Sequence, residues 1–104
     1  SFEATAGDVR DGVEPFFIVR RKDQKTVASG ALRTVEATLE VEYALLDPTL
    51  DDADFERIFA LVYLDVFTDH YFLNKLGPRF SRVFVRLSNR GSAFTTTVPY
   101  PDPE

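Results

Sequence analysis

Between residues 31 and 45 the chain alternates, and this constrains the fold more than any other feature. The odd positions are Ala31, Arg33, Val35, Ala37, Leu39, Val41, Tyr43 and Leu45; the even positions from 34 to 42 are Thr34, Glu36, Thr38, Glu40 and Glu42. Successive side chains of a strand point to opposite faces. A period of two this long therefore predicts one long antiparallel strand, with one buried face and one acidic, wet face. Asp47-Pro48 ends it.

Upstream, residues 1–14 are small and polar, with Gly7 and Gly12, and read as a flexible arm. Pro15 introduces Phe16-Phe17-Ile18-Val19, a short β-prone run, and residues 22–30 read as a connection. Downstream, Thr49 with Asp52 has the spacing of a capping box, and Asp51, Asp52, Asp54 and Glu56 suit the positive end of a helix dipole. Phe55, Phe59, Val62, Val66 and Leu73 follow at helical spacing, so a helix is expected over about 50–76. The apolar run 58–67 also fits a buried strand. Gly77-Pro78 reads as a stop and a new start, opening a second helix over 78–89 on the spacing of Phe80, Val83, Phe84 and Leu87. A strand through Val83, Val85 and Leu87 fits nearly as well. Pro99, Pro101 and Pro103 make residues 99–104 a stiff, extended tail.

At 104 residues the chain is one domain with a modest core, and its 44% apolar content, including ten Phe, is enough to fold. It has no cysteine, which excludes disulfides and thiolate-ligated zinc and is compatible with the cytoplasm. No stretch approaches the ~18 apolar residues of a membrane span, and the first 14 residues hold no signal-peptide core. A net charge of −5 disfavours general binding to nucleic acid.

The search for chemistry is negative. His70, beside Asp69 and near Asp65, is the sole histidine, and a surface histidine near a helix end explains it without a metal. Ser81, Ser88 and Ser92 sit in no nucleophile-elbow context. Asn89-Arg90-Gly91-Ser92 reads as a helix C-cap, and Asp51, Asp52 and Asp54 read as helix-start charge rather than a calcium loop. No cofactor or metal site is expected, and no enzyme.

Charge segregation is more informative. Residues 36–69 hold ten acidic residues and one basic, and residues 75–90 hold five basic and no acidic. Such blocks are solvated faces or docking surfaces. The docking forms are an acidic face of Glu36, Glu40 and Glu42, and a basic stripe of Arg79, Arg82, Arg86 and Arg90.

Three stretches carry a family resemblance: Leu39-Glu40-Val41-Glu42-Tyr43, Asp51-Asp52-Ala53-Asp54-Phe55, and Pro78-Arg79-Phe80-Ser81-Arg82 through Leu87-Ser88-Asn89-Arg90-Gly91. Over residues 15–91 the pattern resembles the SecB-like chaperones. The resemblance implies an oligomeric, non-enzymatic holdase for unfolded proteins. Phe16, Phe17, Tyr71 and Phe72 would be client contacts, and Glu36, Glu40 and Glu42 an acidic face for a partner. Core packing is the alternative for the aromatics.

The expectation is thus a single α+β domain: a small antiparallel sheet of two to four strands, packed by one long and one shorter helix. Its expected role is protein binding, as a holdase and homo-oligomer. The alternatives are a structural or assembly module, such as a virion or secretion component, and a nucleic-acid binder using the arginines.

Overall fold

A computed structural model describes residues 1–62 and 82–89 in full, and the backbone of 92–97. In chain order the elements are β1 (Phe2–Ala6), β2 (Val13–Arg20), β3 (Lys25–Val35), β4 (Thr38–Leu45), α1 (Asp52–Leu61), β5 (Arg82–Leu87) and β6 (Ser92–Thr97). The strands form one six-stranded sheet in sequential order. All neighbours are antiparallel except β4 and β5, which run parallel.

The expected sheet-plus-two-helices architecture is overturned. The sheet is larger and mixed, and α1 is a ten-residue helix. The second helix expected over 78–89 is strand β5 from Arg82 to Leu87. The spacing of Val83, Phe84 and Leu87 served a helix as well as a strand. Pairing decided it: β4 offers β5 a full edge, Leu39 opposite Val83 through Tyr43 opposite Leu87. Residues 1–14 are not a free arm either, since β1 pairs along β2 from Phe2–Arg20 to Ala6–Phe16. The long helix expected over 50–76 is described only as far as Val62, and its remainder and the 99–104 tail lie outside the described residues.

The long strand expected over 31–45 is a hairpin. Glu36 takes a positive φ of 56°, and Glu36-Ala37 form a two-residue turn between Val35 and Thr38. A two-residue turn reverses inward parity: Thr34 faces Leu39 and Leu32 faces Val41, so even positions point inward on β3 from Ala28 onward and odd positions on β4. The first connection also bends tightly. Asp11 and Gly12 both have positive φ, and Arg10 and Val13 exchange two backbone hydrogen bonds of 2.9 Å across them. Asp-Gly is the sequence that such a turn favours.

The core lies between one sheet face and α1. Phe16, Ile18, Leu32, Leu39, Val41 and Val83 are wholly buried there, with Ile58 and Val62 from the helical segment. The helix is capped by Asp51, whose side chain accepts from Asp54 N at 2.8 Å, while Asp54 accepts from Asp51 N at 3.3 Å. The cap expected at Thr49 thus sits two residues later. Gly30 is needed where it stands. A Cβ there would lie 2.7 Å from Phe16 Cζ and 2.6 Å from Tyr43 Cβ, and would also meet the Glu42 carbonyl oxygen.

Candidate interaction face

The face of the sheet away from α1 is set by strand register. From β1 and β2 it carries Glu3, Thr5, Val13, Pro15, Phe17 and Val19; from β3, Ser29, Ala31, Arg33 and Val35; from β4 and β5, Glu40, Glu42, Arg82, Phe84 and Arg86. Its two halves differ. The β2 side is apolar along Val13, Pro15, Phe17 and Val19, with Phe17 37% exposed, and Val35 at the end of β3 is 41% exposed. The β4–β5 side is charged, with Arg33 bonded to Glu40 through Nε and Nη2, both at 2.9 Å, and Arg86 3.7 Å from Glu42. A hollow of ≈300 Å³ lies at the junction, lined by Val13, Ala31, Arg33, Glu40, Glu42 and Phe84 among others. Small Ala31, between Pro15 on β2 and Glu42 on β4, leaves this hollow open.

Strand β2 carries apolar residues on both faces: Phe16 and Ile18 point into the core together with the buried Glu14, and Val13, Pro15, Phe17 and Val19 point away from it. A strand with one wet face should alternate, and apolar character on both sides marks a strand that wants cover on both. Read from the sequence, Phe16 to Val19 are only β-prone and Val13 belongs to the arm, so this signal is missed there.

The sheet end where β4 and β5 finish is a usual place for ligands in sheets with parallel strands, next to a helix N-terminus that attracts anions. Here that end is stitched shut. Asn89 donates from Nδ2 to Leu45 O at 2.7 Å and accepts from Leu45 N at 3.1 Å, and Ser88 N donates to Tyr43 O at 2.9 Å. The α1 terminus is occupied by its own carboxylates, Asp51, Asp52 and Asp54. Asn89 is thus a tie in the β5–β6 turn rather than part of the expected helix C-cap.

Asp47 holds the β4–α1 connection. Its side chain is 1% exposed, accepts from Thr49 N at 2.9 Å and Thr49 Oγ1 at 2.7 Å, and lies 3.2 Å from Arg20 and 3.5 Å from Lys25. The Thr49 hydrogen bonds, helped by the two cations, hold its carboxyl down to about 2. Arg20 also pairs with Asp23 at 3.0 Å, which lowers the Asp23 pKa. Burial pushes the Tyr43 phenol up to about 12, so it stays neutral at working pH.

The sequence-derived candidates separate. Phe16 is 0% exposed and packs over Gly30, so it is a core residue and not a client contact. Phe17 is on the open face. Glu36 sits in the β3–β4 turn, while Glu40 and Glu42 share a face with Arg33, Arg82 and Arg86, which neutralises the expected acidic surface. Arg82 and Arg86 belong to a strand and alternate with Phe84, so they form no helical stripe. Tyr71, Phe72, Arg79, Arg90 and His70 lie outside the described residues. Among the described residues, no cluster of three His, Cys, Asp or Glu could hold a metal, and no helix is long and apolar enough to cross a membrane.

No family model and no curated protein matches the chain. One solved structure that resembles it is titled "putative acetyltransferase", from Sphaerobacter thermophilus DSM 20745. It is 25% identical over 72% of this chain, with a TM-score of 0.49, and the match spans 43% of that protein. A likeness of this size says nothing about what the chain does.

Proposed function

We propose that the domain is a non-enzymatic protein-interaction module that binds a folded partner through the open face of its sheet, in the cytoplasm. The observation that carries this reading is the outward side of β2, where Val13, Pro15, Phe17 and Val19 are all apolar and Phe17 is exposed. The stitched β4–β5 end and the carboxylate-capped α1 terminus support the non-enzymatic part, since the usual anion pocket of such a sheet is filled by the chain's own groups. An assembly role is favoured over a holdase role. Holding unfolded clients calls for several exposed aromatics, and of the candidates within the described residues Phe16 is core. Recognition of nucleic acid through Arg82 and Arg86 is disfavoured by Glu40 and Glu42 beside them.

A photo-crosslinking residue at position 17, compared with one at Arg57 on the exposed side of α1, tests the proposal in the cell that makes the protein. We expect a discrete adduct from position 17 and none from position 57. No adduct from position 17, or the same adducts from both, would overturn it.

A further inference from the structure

The open face balances its charges while the rest of the molecule does not. Its strand positions hold three arginines, Arg33, Arg82 and Arg86, and three glutamates, Glu3, Glu40 and Glu42. The chain as a whole carries −5. That net charge therefore resides elsewhere. On this face two copies meet without net repulsion between the faces, with both signs present to pair across the contact. A two-fold interface places one patch against itself, so it needs that self-complementarity. A strongly basic or strongly acidic partner would find no matching field here.

From these observations we propose that the partner of the open face is a second copy of this chain, packed sheet against sheet in an isologous dimer. The apolar strip of Val13, Pro15 and Phe17 supplies the buried centre, and Arg86 and Glu42 supply charges at the rim. Five strands about 4.8 Å apart and about 20 Å long give a face on the order of 500 Å² per copy. Two such faces bury roughly 1,000 Å², the lower bound for a specific interface, which places the dimer among small, reversible contacts. This inference rests on the interaction reading above and names its partner.

Sedimentation velocity from low-micromolar to near-millimolar concentration tests it on the whole chain. We expect a reversible monomer–dimer equilibrium, which Phe17→Glu abolishes while the circular dichroism spectrum stays unchanged. A wild type that stays monomeric throughout, or a dimer that survives Phe17→Glu, overturns it. If Phe17→Glu does not fold, Glu42→Arg and Arg86→Glu decide. Each alone should weaken the dimer at least tenfold, and an equal mixture should recover it. A mixture that stays monomeric, or single variants as dimeric as wild type, overturns the proposal. A monomeric wild type whose position 17 still crosslinks to another protein would remove the second copy and leave the interaction reading standing.

Discussion

Asn89 serves Leu45 as a substitute strand: its amide donates to Leu45 O at 2.7 Å and accepts from Leu45 N at 3.1 Å, extending the parallel pairing beyond β5 with a side chain. Asn89→Ala leaves both backbone groups without that partner, and Asn89→Asp keeps an acceptor but loses the donor. We expect a loss of about 1–2 kcal/mol for the alanine variant, read as a lower denaturation midpoint with an unchanged slope.

Asp47 gives the fold an acid limit. Its folded pKa of about 2 lies below the ordinary aspartate value, so the stability it contributes is complete above that ordinary value and is lost as pH falls towards 2. Asp23, also lowered, acts in the same direction. Asp47→Asn should lower stability at neutral pH and flatten its dependence between about pH 4 and pH 2. Denaturation across that range checks both effects.

Much of the strand content was legible, because alternation at Leu39, Val41, Tyr43 and Leu45 reports a buried face directly. The hairpin was hidden for the same reason. Alternation in the sequence runs on through the Glu36-Ala37 turn, although inward parity reverses there, and only a positive φ at a glutamate marks the break. Strand β5 was illegible because its apolar residues fit both periods, and the edge of β4 that selects the strand is a tertiary fact. The open face was half visible. Glu40 and Glu42 were identified, but Arg86 is remote in sequence and Arg33 comes opposite Glu40 only through the hidden hairpin turn, so the neutralised face was read as acidic.

Gly30→Ala tests the close packing at the centre of the sheet. Its methyl would press on Phe16, on Tyr43 and on the Glu42 backbone, which cannot swing away. We expect a loss of about 1–3 kcal/mol or more, in the range of overpacked cores, measured by chemical denaturation.

Thr34 points inward opposite Leu39, and its buried hydroxyl has no hydrogen-bond partner among the described residues. Thr34→Val exchanges that oxygen for a methyl on a β-branched frame suited to a strand. We expect stability to rise by about 1 kcal/mol, seen as a higher denaturation midpoint.

Phe16 and Phe17 are adjacent in the chain, and the strand sends one into the core and the other to the surface offered to a partner. The most direct test is chemical denaturation of Phe16→Ala and Phe17→Ala, each dilute enough to be monomeric. We expect Phe16→Ala to lose about 3–5 kcal/mol, as for a buried ring, and Phe17→Ala to lose less than about 1 kcal/mol, as for a surface substitution. Equal, large losses at both positions would make Phe17 part of the monomer's own core and contradict the open face as an interaction surface.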